Sequence, residues 1–436
     1  MALLLLCAAQ AMLIIDVVVV NVAIPAIRAD LGIPDARLVL TSIAYTLTFG
    51  SLLIVFGRAG DLLGRLRLFG YGLTLFTLAS LATGCAQTEW QLLAARAVQG
   101  VGAAMAAPAA LALLTTTFPE GPRRNRALGW WAAAGSAGAI GGQLLGGLIT
   151  STLGWRWIFL INVPVGVAAV LAARRYLVET RVPRRAPLDL RGAALLVSGL
   201  AAAILALTGC PVLAVPAAIL LALFVLVERR HPEPIVDGRL VSRATVLLAV
   251  NAGTLGAALF FTTMYLQVVL GYPAVLVGLA FAPVTLVVLV VSPRAAALVD
   301  RYGTRPLLAA GFVLLAAGML LLARMPAGGS YLRDVLGPLL LLAAGSGLSY
   351  APTFVAGTAG VPDERQGVAS GLLNSAQELG SAAGLALLGA LAAAAAAGNG
   401  LTHGYRAGLL VAAGSVLACL FLIRGLPSRR LAPSRG

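Results

Sequence analysis

The chain has 436 residues, of which 60% are hydrophobic and only 11% charged, whereas a soluble chain usually carries about 25% charged residues. Its net charge is +15, every basic residue is arginine, and no polar stretch is long enough to fold as a separate soluble domain. This composition excludes an ordinary soluble globular protein, and the recurring apolar runs mark an all-α polytopic membrane protein.

The first apolar run covers residues 3–27. It lacks a basic leader region and a convincing cleavage site, so it reads as a membrane span rather than a signal peptide. "LLLLCAAQ" hints at a lipoprotein box, but Leu6 before Cys7 is the wrong residue for one. The run starts abruptly, as it would if a short basic leader preceded it.

Thirteen further spans are predicted at 38–57, 68–86, 91–117, 128–150, 157–176, 191–208, 211–227, 244–270, 274–292, 306–323, 335–358, 367–397 and 407–424. Each is close to the ~20 residues that cross a bilayer as a helix. Helices are required because hydrocarbon leaves no partner for an unpaired backbone group. Spans seven and eight are short and joined only by Gly209, Cys210 and Pro211. They form either a tight hairpin or a pair that does not fully cross.

The arginines set the orientation. Loops after even-numbered spans, with the C-terminal tail, hold 24 of them, and loops after odd-numbered spans hold six. Arg96 falls inside a span, while Arg174, Arg175, Arg191 and Arg424 stand at span ends and are counted with the adjoining loops or tail. Both termini are therefore expected in the cytoplasm. Because the arginines lie in short loops, anionic lipid headgroups suit them better than nucleic acid. Two Pro-rich, charged stretches, 174–191 and 228–243, flank spans seven and eight and read as linkers. The expected division is a six-helix bundle at 1–176, linkers with two extra helices at 177–243, a second six-helix bundle at 244–424 and a basic tail at 425–436.

The two halves echo each other. "GRAGDLLGRLR" (57–67) follows span two and "AALVDRYGTR" (296–305) follows span ten. Both contain D-x-x-G before an arginine, at Asp61–Gly64 and Asp300–Gly303. Internal repeats of this kind are a common plan for secondary transporters.

The first of these loops resembles the signature loop of the major facilitator superfamily. Gly57, Asp61, Gly64, Arg65 and Arg67 occupy the characteristic places, and Leu62 stands where a basic residue is usual. Glycine allows the tight turn, and Asp61 suits a helix N-terminus. The resemblance implies a latch for the outward-open state, with Asp300 and Gly303 in the equivalent loop. The bland alternative is a plain positive-inside loop.

Span four begins "LLAARAVQGVGAA" (92–104), similar to a family pattern in which a buried arginine precedes Gln and Gly. Arg96, Gln99, Gly100 and Gly102 match. The resemblance implies proton transfer at Arg96. The alternative is snorkelling toward the outer interface, since Trp90 is six residues away. "GSAGAIGGQLLGGLI" (135–149) resembles the drug:proton antiporter motif, with Gly138, Gly142, Gly146 and Gly147 in place. Gln143 replaces proline there, which weakens the expectation of the usual kink and of antiport, and makes Gln143 a candidate to hydrogen-bond a substrate. Those glycines read mainly as helix-packing positions.

"IDVVVVNVAIP" (15–25) resembles the first-span motif of the fourteen-span drug:proton antiporters, the quaternary-ammonium and multidrug exporter type. Asp16, Asn21, Ala23 and Pro25 match, and "GWRWIFLINVPVG" (154–166) is typical of the same group. Asp16 is expected to carry protons, cationic substrate or both, because an acid can be neutral when dehydrated and charged when wet. A structural acid tied to Asn21 or Arg96 is the alternative. In span thirteen, "GLLNSAQELGSAAG" (371–384) has Asn374 at a family position and Glu378 where the family has glutamine. Glu378 is either a second proton or cation site, or a protonated residue behaving like glutamine. Trp131, Asn251, Tyr265, Gln267 and Tyr350 are weaker cavity candidates.

The four cysteines lack metal-ligand spacing, and His231 and His403 are isolated, so no metal or cofactor is expected. No phosphate-binding G-x-x-x-x-G-K-[ST] loop is present, which leaves an ion gradient as the drive. The sequence thus predicts a major facilitator fold of fourteen helices in the cytoplasmic membrane. The expected work is proton-coupled export of small amphipathic or cationic drugs, antibiotics or secondary metabolites, by a single copy of the chain. Another gradient-coupled metabolite carrier of the same fold is the nearest rival. A membrane enzyme or a sensor fits less well, because catalytic clusters and an output domain are missing.

Overall fold

The computed structural model describes residues 1–33, 35–179, 189–208, 210–229, 231, 235, 241–397 and 400–424. Within these, the side chains of 21, 22, 25, 35–39, 140, 143, 144, 207, 208, 274 and 275 are not described. The tail at 425–436 and most of the two linkers lie outside the described residues.

Everything regular is helical. The helices are α1 (Ala2–Leu31), α2 (Asp35–Leu63), α3 (Arg65–Gly84), α4 (Glu89–Thr117), α5 (Pro122–Thr152), α6 (Trp157–Leu160), α7 (Asn162–Tyr176) and α8 (Leu190–Thr208). They continue with α9 (Ala214–Glu228), α10 (Arg243–Met264), α11 (Ala274–Tyr302), α12 (Thr304–Leu322), α13 (Leu336–Thr358), α14 (Gln366–Ala396) and α15 (Leu401–Arg424).

Among the described residues, twelve helices are long and apolar enough to cross a membrane. The count of fourteen crossing helices is therefore not supported. Helices α5 and α8 each contain residues whose side chains are not described, and the described apolar part of α8 is Leu190–Ala206.

The chain divides into two compact units. The first comprises Met1–Phe118, Gly141–Val241 and Gly360–Ser375; the second comprises Pro119–Ile140, Ser242–Ala359 and Ala376–Gly436. Thus α5 and α14 each contribute one end to one unit and the other end to the other.

In the first unit, α3 and α4 approach through small residues. A methyl on Gly72 would sit 2.7 Å from the Ala106 nitrogen, and one on Gly102 would sit 2.5 Å from the Phe76 nitrogen. The second unit repeats this in α12 and α13, where a methyl on Gly311 would sit 2.9 Å from the Gly345 carbonyl oxygen. Its core is a large cluster that includes Phe261, Phe281, Phe312, Leu315, Met319 and Leu339. Helix α8 leans on α2 at Gly50 and Ile204, and α9 on α8 at Gly199 and Leu221. Much of α9 shows exposed Val, Ile and Leu, as a lipid-facing helix does.

The internal repeat is visible at two single-residue turns. Gly64 alone joins α2 to α3 with φ 111°, and Gly303 alone joins α11 to α12 with φ 78°. Both values lie where L side chains are strained and glycine is not. This is the physical content of the two D-x-x-G motifs.

Candidate functional site

Asp16 lies midway along α1 and is completely buried. Three side-chain donors converge on its carboxylate. Arg96 Nη1 from α4 donates to Oδ2 at 2.6 Å, Gln99 Nε2 donates to Oδ1 at 2.8 Å, and Asn162 Nδ2 at the start of α7 donates to Oδ1 at 2.8 Å. Arg96 and Gln99 are one helical turn apart, so they share a face of α4. Arg96 Nη1 also meets Gln99 Oε1 at 2.7 Å, and Gln99 Nε2 reaches Ser80 Oγ at 2.7 Å.

The Arg96 guanidinium lies 4.4 Å from the Tyr45 ring centroid and 5.5 Å from that of Phe159. Its Nε donates to the Thr41 carbonyl at 3.4 Å. The side chain is 1% exposed, so it is buried toward Asp16 and does not snorkel. An arginine of this kind is costly in a membrane unless paired, and here a carboxylate, an amide and two aromatic faces receive it. Asn162 and Ser80 escaped the sequence reading. Asn162 stands within "GWRWIFLINVPVG", where the tryptophans drew attention and the asparagine did not.

The same segment closes one end of the first unit. Arg156 Nη1 donates to Asp30 Oδ2 at 2.5 Å, Trp155 Nε1 donates to the same oxygen at 3.2 Å, and Arg156 Nη2 donates to the Ala86 carbonyl at 3.1 Å. Arg156 stacks 4.5 Å above the Trp155 ring. These hydrogen bonds, that of Arg156 first, hold the Asp30 carboxyl below its ordinary value of 3.8. Trp155, Ile158 and Phe159 pack with Val19, Val20 and Ile27 of α1, which fixes the end of the helix that carries Asp16.

Asp61 sits three residues before the Gly64 turn and makes a helix-end contact. Its carboxylate accepts the Gly367 N–H at 2.9 Å and the Val368 N–H at 3.1 Å, in the first turn of α14. Arg65 clamps the same carboxylate through Nη2 at 2.6 Å and Nε at 3.0 Å, and its Nη2 also donates to the Asp363 carbonyl. Orphan N–H groups and a positive helix end make this a natural place for an anion. Gly57 allows the approach, because a methyl there would strike the Gly367 carbonyl. Glu179, in the linker after α7, caps α3 by accepting the Leu66 N–H at 3.1 Å and the Arg67 N–H at 3.0 Å. Arg67 itself is exposed, with Nε 4.0 Å from Glu179. Glu179 carried no motif to reveal it.

In the second unit, Asp300 accepts Asn125 Nδ2 from the start of α5 at 2.5 Å. Ser292 Oγ donates to the Gly129 carbonyl at 3.1 Å nearby. The Asp300 loop therefore engages the beginning of α5 as the Asp61 loop engages the beginning of α14, with a side-chain amide in place of backbone N–H groups.

Glu378 lies on α14 within the second unit, half-buried, and no side chain or backbone group among the described residues forms a hydrogen bond or ion pair with it. Gly142 and Gly146 of α5 pack on Ile15 and Val19 of α1, so they serve helix contact in the first unit. Asn374 is buried and donates to the Ser370 carbonyl of its own helix at 3.0 Å. The side chains of Asn21 and Gln143 lie outside those described. Tyr265 bonds the Pro326 carbonyl at 2.6 Å and so braces a loop.

Helices of this length and apolarity, with a buried ion pair among them, define a multi-pass membrane protein. The Major Facilitator Superfamily profile matches residues 6–385, and the chain belongs to that family. It is 40% identical to the cephamycin export protein CmcT of Amycolatopsis lactamdurans, over 89% of this chain and 84% of that one. It is 38% identical to the puromycin resistance protein pur8 of Streptomyces alboniger, over 94% of this chain and 88% of that one. The fold is similar to the crystal structure of the human organic anion transporter MFSD10 (TETRAN), with TM-score 0.71, 18% identity and coverage of 97% and 98%.

Proposed function

We propose that this protein is a proton-driven exporter of small amphipathic compounds of the antibiotic class. The observation that carries the reading is the completely buried Asp16 carboxylate, matched by one arginine and two neutral amides. A carboxylate in such a place can exist in two states, paired with Arg96 or protonated and released from it, and that is what proton coupling requires. The relatives named for cephamycin export and puromycin resistance support the substrate class.

In the proposed cycle a proton from outside binds Asp16 and weakens its hold on Arg96. Arg96 then rests on Gln99 and the Tyr45 ring. Substrate loading on the cytoplasmic side favours return of the proton. The Asp61 and Asp300 contacts open and close as the protein changes face. Both termini are placed in the cytoplasm, on the strength of the arginine asymmetry. Assignment to the fourteen-span drug:proton group is part of the proposal. It is supported by the first-helix motif at Asp16 and by α8 and α9 lying between two sets of repeated helices.

The test is accumulation of puromycin in inside-out proteoliposomes with an imposed acidic interior. Uptake that disappears with a protonophore supports the reading. Uptake indifferent to the pH gradient, for puromycin and for a cephamycin alike, contradicts it.

A further inference from the structure

The donors around Asp16 divide its two carboxylate oxygens unequally. Among the described residues, Oδ1 accepts two amide N–H groups, from Gln99 Nε2 at 2.8 Å and Asn162 Nδ2 at 2.8 Å. Oδ2 accepts Arg96 Nη1 at 2.6 Å. The orientation of the Gln99 amide is fixed by its neighbours. A guanidinium only donates, so Oε1 is the Gln99 atom that meets Arg96 Nη1 at 2.7 Å. Nε2 is thereby turned to Oδ1, and it also donates to Ser80 Oγ at 2.7 Å. Asn162 is as firmly placed. It is the buried first residue of α7, and just before it Trp155 and Arg156 hold Asp30 at the far end of α1. The segment 155–162 thus grips α1 at two points, Asp16 and Asp30.

A proton arriving at Asp16 meets two different oxygens. On Oδ1 its O–H would face amide N–H groups, which cannot accept it. On Oδ2 it takes the place of the arginine. The proton adds to an Oδ2 lone pair, the Nη1–H···Oδ2 hydrogen bond breaks, and Arg96 keeps all its own protons. Carboxylate and guanidinium, neutral together before the step, carry one positive charge after it. Arg96 retains Gln99 Oε1, the Thr41 carbonyl and the Tyr45 and Phe159 rings. Arg96 is the charged neighbour of Asp16 among the described residues, and the titratable Tyr45 of α2 turns its ring to the guanidinium. The other elements here contribute neutral groups: Ser80 from α3, Phe159 from α6 and Asn162 from α7.

We infer that Asn162 is a positioning residue for proton coupling: together with Gln99 it holds Oδ1 in both charge states and so reserves Oδ2 for the proton that displaces Arg96. The inference rests on the proton-driven reading. It adds to it the oxygen that takes the proton and a residue on α7 that sets the pH at which this happens. A hydrogen bond to the charged form of an acid favours that form. Losing the Asn162 donor therefore moves protonation to higher pH, by about one pH unit for a bond of this charge-assisted kind.

The experiment is infrared difference spectroscopy of the purified full-length protein, titrated with acid in the absence of substrate. The protonated-carboxyl band of Asp16 is assigned by its loss in Asp16→Asn. Wild type is compared with Asn162→Leu, which keeps the side-chain bulk without a donor, and with Asn162→Asp, which keeps the shape, each checked for its unfolding temperature. The expected result is a band that appears about one pH unit higher in Asn162→Leu, tenfold in proton affinity. In Asn162→Asp it appears higher still, because two facing carboxylates share a proton. An asparagine that only braces the fold would lower the unfolding temperature and leave the midpoint in place. An unchanged midpoint in the variants, or a shift to lower pH, overturns the inference, and where one variant does not fold the other decides. Absence of an Asp16 band in wild type at every pH where it stays folded overturns it as well. A titrating Asp16 whose midpoint ignores Asn162 leaves the proton-driven reading standing. The expected shift, in a protein whose wild-type vesicles move no protons, upholds this inference while that reading falls.

Discussion

Asp16 on α1 and Arg96 on α4 meet at 2.6 Å with neither side chain more than 1% exposed. The two partners are not equivalent. A guanidinium stays charged in any protein setting, whereas a carboxyl deprived of its partner can discharge by taking up a proton. Removing the acid strands a charge; removing the base does not. Losing one side of a buried pair costs about 3–5 kcal/mol when the remaining charge is stranded. Asp16→Asn should therefore lower the apparent unfolding temperature in detergent more than Arg96→Gln does, and the double variant should regain part of the loss. An Arg96→Gln protein less stable than Asp16→Asn would contradict this.

The Asp61 contact predicts a rate effect. Its carboxylate holds two backbone N–H groups of α14 together with Arg65. Hydrogen bonds to a charged group contribute about 1.5–3 kcal/mol each. Asp61→Ala should slow transport tenfold or more while substrate binding in detergent stays within about twofold, since the Asp61 carboxylate holds Arg65 and the α14 backbone and none of the groups around Asp16. Gly57→Val, which drives a side chain into Gly367, should do the same. Parallel transport and dialysis measurements check it, and a variant with wild-type turnover would remove the latch.

Asp30 and Arg156 give a pH signature. The folded Asp30 carboxyl titrates below its ordinary 3.8, so its contribution to stability is complete above that value and is lost as pH falls through the lower folded value. Thermal unfolding of wild type and Asp30→Asn should differ at pH 7 and converge in strong acid. A difference that grows on acidification would reverse the sign and refute the assignment.

Two glycines on α14 make a matched pair. A methyl on Gly384 would strike the Gly253 backbone, whereas one on Gly389 would meet nothing within 4 Å. Gly384→Ala should destabilise by about 1–3 kcal/mol through overpacking. Gly389→Ala should be neutral or stabilising by up to about 1 kcal/mol, because alanine suits a helix interior better. Detergent melting curves of the two variants decide it.

Part of the site was legible before the structure. Asp16, Arg96 and Gln99 stood out as polar residues inside spans, with an Asp16–Arg96 tie as one alternative, but their convergence on one carboxylate did not follow from spacing. The glycines of the two D-x-x-G loops announced their turns. What stayed hidden is mostly non-local. Asn162 reaches Asp16 across 146 residues of chain, and Glu179 reaches Leu66 across 113. Neither residue carries a local pattern that names its partner. Asn125 stood unnoticed in an arginine-rich loop, because its task depends on where Asp300 is brought. The all-helical membrane fold was legible from run length and apolarity, whereas twelve crossing helices, not fourteen, are found among the described residues.

The most direct test follows proton release from acid-loaded inside-out vesicles with a pH-sensitive dye, on adding puromycin, for wild type and Asp16→Asn. The account predicts prompt release in wild type and none in the variant, with both proteins present at equal density in the membrane. Equal release from the two proteins would show that Asp16 is a structural acid and that the coupling carboxylate lies elsewhere.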